Sequence, residues 1–172
     1  MEPLDLSVRP PRSPYAQMHG IYMIPRTIDK MRAQLPGGKL GPYSLSTEFG
    51  PGLSIFLLDG LRLSEKTLFQ LVQQAQAEED IVNWLQGSVD LSGKARINEM
   101  LLGPTAGDVL ELIPQSIFDE FYPAAKTMPK TAPMFDILIE DDRLMFPAYF
   151  AVRLRQRSSP AEIYAMLPAR KQ

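Results

Sequence analysis

The segment Arg12–Leu35, RSPYAQMHGIYMIPRTIDKMRAQL, decides how this chain is read, because it holds a proline-set entry, three rings and a charged amphipathic helix in one short span. Pro25 suits the first turn of a helix, where its missing N–H would have no intrahelical partner anyway. Ile24, Ile28, Met31 and Leu35 then recur at spacings of four, three and four, which is one apolar stripe. Arg26, Asp29 and Lys30 fall on the opposite face. Asp29 lies one turn from Arg26, within reach of a side-chain pair worth about 0.2–0.5 kcal/mol. Pro36, Gly37 and Gly38 end the helix. Upstream, Arg12-Ser13-Pro14 and Gly20 predict an extended arm with a turn, which lays Tyr15, His19 and Tyr22 beside the start of the helix.

Two readings of that arrangement compete. In one, the arm and the helix make a polar pocket in which Arg12, Arg26 and Lys30 hold an anion, with Tyr15, Tyr22 or His19 placed for proton transfer. In the other, the charges form a solvated helix face beneath an arm pinned by its tyrosines. The second is the default, because charge on a surface helix ordinarily faces water.

Outward from this segment, 172 residues suffice for one domain with a substantial core. Sixteen prolines predict short elements cut by rigid corners. Cysteine is absent and His19 is the only histidine, which excludes disulfides, thiolate nucleophiles and multi-imidazole metal sites. No Gly-x-Ser-x-Gly elbow marks a serine partner for His19. The chain lacks an eighteen-residue apolar run, and Glu2, Asp5 and Arg9 sit where a signal peptide would be apolar; a soluble, cytoplasmic protein is the expectation. Charge is uneven: six basic against three acidic residues over 1–45, four against eight over 46–107, two against eight over 108–142, and six against one over 143–172. The net charge of −2 argues against a dedicated nucleic-acid binder.

Along the chain, Pro3-Leu4-Asp5-Leu6-Ser7 resembles the short peptide bound by eukaryotic transcriptional corepressors of the dehydrogenase-like class. An arm lying on its own domain accounts for Leu4 and Leu6 equally well. Gly37-Gly38-Lys39 lacks both the leading glycine and the Ser or Thr of a phosphate loop, since Ala33 and Leu40 stand there. Helices are predicted from Leu53 to a stop near Gly60, and from a Ser64 cap with Leu63 and Leu68 as a hydrophobic staple. Others follow from Glu78-Glu79-Asp80 to Gly87, across Ser92–Leu102, and from Pro114 to Phe121. The three acids at 78–80 read as charges on a helix start, not as metal ligands. From Pro133, Phe135, Leu138 and Ile139 face inward while Asp136, Glu140, Asp141 and Asp142 face out. These four acids read as a solvated face answering Arg26–Arg32 in preference to a magnesium site. Beyond Phe146 the pattern fits a strand or a helix, and Ala161–Leu167 a further helical turn.

Arg12-Ser13-Pro14, Gly20, Pro25-Arg26-x-Ile28-Asp29-Lys30-x-Arg32-Ala33 and Gly41-x-Tyr43 together resemble a bacterial family catalogued only as a domain of unknown function, the one numbered 5069. Gly50-Pro51-Gly52, Ile97-Asn98-Glu99, Phe135-Asp136 and Asp141-Asp142 are similar to one branch of it, so the likeness spans about residues 4–147. Many members carry Cys-Pro-Leu-Asp after the tyrosine. Ser44-Leu45-Ser46-Thr47-Glu48 follows Tyr43 here, so a thiol role does not transfer. The resemblance implies a compact bacterial domain and no particular activity.

These readings combine into an all-α, mainly helical protein of six to eight short helices: a domain over 1–147 with an extended N-terminal arm, and a basic C-terminal extension over 148–172. The expected function is a non-catalytic binding or protein-interaction module without cofactor or metal, whose partner is another protein, a second copy of the chain, or a small anionic ligand. The alternative is a small enzyme or ligand-binding protein using Arg12, Tyr15, His19, Tyr22, Arg26 and Lys30.

Overall fold

A computed structural model describes residues 1–47 and 50–156. The arm turns through a two-stranded antiparallel hairpin, β1 (Gln17–Met18) and β2 (Ile21–Tyr22), whose corner residues His19 and Gly20 both have positive φ, 53° and 77°. That pair of angles is what a tight two-residue hairpin demands. Helix α1 (Ile24–Arg32) follows at once, with proline in its first turn and a left-handed Met23 redirecting the chain into it. A second small ladder, β3 (Ser46–Thr47) with β4 (Gly50–Pro51), closes the loop after α1.

Then come α2 (Leu53–Gly60), α3 (Glu65–Gln74), α4 (Glu78–Ser88) and α5 (Lys94–Leu102). The chain continues through α6 (Ala106–Leu110), α7 (Gln115–Phe121), a 3-10 helix at Pro123–Thr127, α8 (Met134–Met145) and α9 (Pro147–Gln156). The fold is mainly helical, as expected, and the described residues form nine short α-helices and one 3-10 helix where six to eight helices were predicted. The ambiguous stretch after Phe146 is helical, whereas Ala161–Leu167 lies outside the described residues. Among the described residues no helix is long and apolar enough to cross a membrane.

The predicted stripe of α1 is the centre of the core. Ile24, Ile28, Met31 and Leu35 are buried with Leu57, Leu58, Leu68, Val72, Ile81, Leu85, Ile97 and Leu101, which α2 to α5 contribute. A second apolar cluster joins Ala106, Phe118, Ala132, Met134 and Ile137 beneath α6 to α8.

The expected solvated face of α1 is overturned. Arg26, Thr27, Asp29 and Lys30 are all buried, because the arm, the loop after α1 and helix α8 cover the side that faces away from the apolar stripe. The arm is fixed by backbone pairing: the Leu4 N–H donates to Arg32 O at 3.2 Å, Lys39 N–H to Leu4 O at 2.9 Å, and Leu6 N–H to Lys39 O at 2.7 Å. Gly41 makes this possible: with φ 62°, a Cβ there would stand 2.5 Å from Leu6 O. Leu4 and Leu6 pack with Ala33 against Leu40 and Tyr43, so the fold itself uses the two leucines of the peptide-like motif.

Local signals account for most helix ends. Ser64 Oγ accepts from Thr67 N–H at 3.0 Å, and Asp80 accepts from the N–H groups of Gln76 and Ala77 at 2.8 and 3.1 Å. Helix α2 ends at Gly60, as expected, but Gly60 is not the residue that turns the chain. Helix α2 ends in a Schellman motif, in which Leu63 N–H donates to Leu58 O at 2.9 Å and Arg62 N–H to Asp59 O at 3.0 Å. The left-handed residue is therefore Arg62, φ 53°. Gly60 instead admits α5, since a Cβ there would lie 3.2 Å from Met100 Cε and 3.3 Å from Ile97 Cγ1.

Candidate functional site

Arg26 is the pivot of a polar network built into the core. Its guanidinium, 1% exposed, forks onto Asp142 through Nη1 at 2.8 Å and Nη2 at 3.0 Å, and Nη1 also donates to Arg12 O at 3.0 Å. Tyr43 donates its hydroxyl to the same carboxylate at 2.7 Å, while its ring lies 5.5 Å from the guanidinium carbon and stacks on Phe146. Burial and the Asp142 charge push the Tyr43 hydroxyl far above its ordinary value. Arg26 Nε and Asp141 Oδ2 are buried without a hydrogen-bond partner. Burial drives the Asp141 carboxyl up to about 6, although its other oxygen accepts from Ala124 N–H at 2.7 Å.

Arg12 takes the carboxylate that sequence spacing assigns to Arg26. Its backbone N–H, Nε and Nη2 all donate to Asp29, at 2.8, 3.0 and 2.9 Å, and Nη1 reaches Glu78 at 2.6 Å. The expected Arg26–Asp29 pair is therefore replaced by Arg12–Asp29 and Arg26–Asp142. Helical spacing cannot foresee either partner, since both arrive from distant parts of the chain.

Lys30 is different. Nζ donates to Ser44 O at 2.8 Å and lies 3.5 Å from Ser54 Oγ, to which Thr27 Oγ1 donates at 3.2 Å. No carboxylate pairs with it among the described residues, and burial pulls its amine from 10.5 down to about 7.

The three rings do not join this network. Tyr15 and Tyr22 pack edge-on with Phe135, with ring centroids 5.1 to 6.1 Å apart, and Tyr15 donates to Asp136 at 2.8 Å. Burial and that carboxylate raise Tyr15 to about 12, which holds its proton at neutral pH. His19 Nε2 sits 2.8 Å from Val82 O and thereby ties the hairpin corner to α4. The six candidates thus divide into three units: Arg12 with Asp29 and Glu78, Arg26 and Lys30 under the loop, and the tyrosines and histidine as props of the hairpin.

The acids of α8 are corrected likewise. Asp141 and Asp142 point inward, and Ile137 takes the core position predicted for Leu138 and Ile139. Each acid has its own partner: Asp136 has Tyr15, Glu140 has Arg143, Asp141 has Ala124, and Asp142 has Arg26.

Two open surface concavities lie elsewhere, and neither includes any of the six candidates. The larger, about 830 Å³, runs between the α2–α3 turn and the α4–α5 turn. Its walls include Arg62, Arg96, Asp59, Asp90, Trp84 and Met100. The smaller, about 250 Å³, lies between α6, α7 and the 3-10 helix. The size of the larger cleft suits a small organic ligand. Nothing in the spacing of its residues announced it, because two turns distant in sequence create it.

A small, mainly helical fold with a buried polar network, in which Arg26 Nε and Asp141 Oδ2 alone among the described buried side-chain atoms lack a partner, and with an open cleft elsewhere, is the class of protein that emerges. The chain belongs to the family described as domain of unknown function DUF5069, whose model matches residues 8–108. No curated protein matches it.

Proposed function

We propose that this protein is a non-catalytic binding module whose ligand seat is the cleft between the α2–α3 and α4–α5 turns. The observation that carries the reading is the division of labour among polar side chains. Arg12, Arg26, Tyr43 and Asp142, which would otherwise suggest a reaction centre, are engaged within the fold, Arg12 with Asp29 and Glu78 and the other three with one another, while the cleft offers two arginines with no ion pair among the described residues and an apolar wall. A bacterial, cytoplasmic setting and a protein or small anionic partner belong to the same proposal. Native mass spectrometry of the protein as purified, with light scattering, tests it. A bound mass or partner retained by the wild type and lost in Met100→Arg, which fills the cleft, supports the reading. A bare monomer, or a ligand retained by Met100→Arg, refutes it.

A second reading rests on Lys30, an amine depressed to about 7 beside the Ser54 hydroxyl under the loop after α1. Such a group is a base or nucleophile in a small enzyme if that loop opens. Acylation by an activated ester at pH 8, mapped by mass spectrometry, decides it. Labelling of Lys30 as fast as exposed Lys66 supports an opening, and protection excludes one.

A further inference from the structure

We propose that the large cleft selects a small organic monoanion with a flat apolar body, its charged end taken by Arg62 and Arg96 and its body laid against Trp84 and Met100. This deepens the reading of the cleft as the ligand seat and rests on it. Both arginines line the cleft, and neither makes an ion pair or a side-chain hydrogen bond among the described residues. Arg12, Arg26, Arg32 and Arg143 each have a carboxylate partner, whereas Arg62 and Arg96, like the exposed Arg9, have none among the described residues. A free guanidinium beside an apolar wall presents a planar fork to a carboxylate or phosphate and a face to an aromatic ring.

The balance of charge narrows the ligand. Asp59 and Asp90 line the same cleft, and Asp90 accepts from Ser92 N–H at 2.9 Å; its hydrogen bonds with Ser92 are the main cause that lowers its pKa, and the Arg62 charge is a smaller one. Two cations and two carboxylates leave no net attraction for a polyanion. A single anionic group gains by contact, not by long-range steering. The same cleft is lined by Met100, one turn beyond Arg96 on α5 and 40% exposed although it is a large apolar side chain, and by Trp84 of α4, which is half-buried. These supply the surface for an apolar body.

A second observation bears on Arg62. It occupies the left-handed position of the Schellman turn, φ 53°, where glycine is the unstrained choice. An arginine at that position is a local cost to the fold, and it sets the guanidinium at the cleft rim. Exchange for glycine therefore separates the two roles, since it relieves the backbone and removes the charge.

Trp84 is the only tryptophan, so its indole N–H gives a single cross-peak in a nitrogen–proton correlation spectrum. The full-length protein is titrated with 2-naphthoate and with neutral 2-naphthamide, followed by that peak and by calorimetry. The expected result is a saturable shift with naphthoate and at least tenfold weaker binding of the amide. Arg62→Gly and Arg96→Gln should each weaken naphthoate at least tenfold and leave the amide unchanged, with Arg62→Gly melting no lower than wild type. Equal binding of acid and amide overturns the anion inference while leaving the cleft as a seat. Unchanged naphthoate affinity in both arginine variants, or no shift of the Trp84 peak with naphthoate, also overturns it. The retained-mass measurement on Met100→Arg decides the cleft reading separately.

Discussion

Truncating Asp142 to alanine strands a guanidinium that is 1% exposed. Arg26 loses both arms of its fork, at 2.8 and 3.0 Å, and Tyr43 loses the acceptor of its hydroxyl at 2.7 Å. Breaking a buried ion pair from one side costs about 3–5 kcal/mol, because the remaining charge keeps its desolvation penalty without compensation. Against a total stability of about 5–15 kcal/mol for a typical domain, that is roughly a fifth or more of the whole. At about 2–4 °C per kcal/mol for a chain of this size, the melting point should fall by roughly 6–20 °C. The companion variant carries Arg26→Met, Asp142→Leu and Tyr43→Phe together. Removing the ion pair and the Tyr43 hydroxyl together leaves no buried charge stranded and only the Arg12 carbonyl without its donor, so it should recover to within about 1 kcal/mol of wild type or exceed it. Urea denaturation followed by circular dichroism at neutral pH measures both. A loss below about 1 kcal/mol in Asp142→Ala, or a triple variant no more stable than the single, would refute the reasoning.

Further outcomes follow from the same contacts. Lys30 titrates near 7 when folded and at its ordinary 10.5 when unfolded, so the unfolded chain holds the extra proton between those values and stability should rise with pH across that window. Lys30→Met should flatten that rise in denaturation midpoints taken from pH 7 to 10. Asp141 has the opposite sign: raised from 3.8 to about 6, it is protonated in the folded state where the unfolded chain is ionised, so its contribution to stability falls as pH climbs through that interval. Asp141→Asn should remove this component, read as a shallower decline between pH 4 and 6. Gly41→Ala puts a Cβ 2.5 Å from Leu6 O at a left-handed position, and limited proteolysis should then cut within residues 1–10 severalfold faster than in wild type.

What could be read beforehand was local. The α1 stripe, the Ser64 cap, the acids at the start of α4 and the proline openings each rest on neighbours within a few residues, and the structure places them as the periodicity implies. Helix α6 was missed, although its signal was equally local: Thr105 and Asp108 form a reciprocal cap, with Thr105 N–H donating to Asp108 at 2.8 Å and Asp108 N–H to Thr105 Oγ1 at 3.3 Å. The burial of the charged face of α1 was not legible, because a helical pattern distinguishes two faces without saying what covers the second. Asp142 comes from 116 residues away, and Arg12 crosses over from the arm. The cleft was invisible for the same reason, being a gap between two turns.

The residues that carry the family resemblance now have physical tasks. Arg12 and Asp29 lock the arm to α1, Gly20 makes the hairpin corner, Arg26 with Tyr43 and Asp142 joins α1 to α8, and Arg32 Nε donates to Glu2 O at 2.9 Å. Asn98 clasps the hairpin from α5, its Nδ2 donating to Gly20 O at 2.8 Å and its Oδ1 accepting from Tyr22 N–H at 3.1 Å. Gly41 lets the arm pass. A motif rich in arginine, aspartate, lysine and tyrosine looks like chemistry when read in one dimension. In three, most of these groups hold together segments that apolar packing alone would leave free to slide, which is the setting in which buried charge contributes specificity of register more than stability. Lys30 is the exception, with hydroxyl and carbonyl partners where the others have carboxylates. It is consequently the one signature residue whose replacement by methionine should leave the fold in place and still change how the protein behaves with pH.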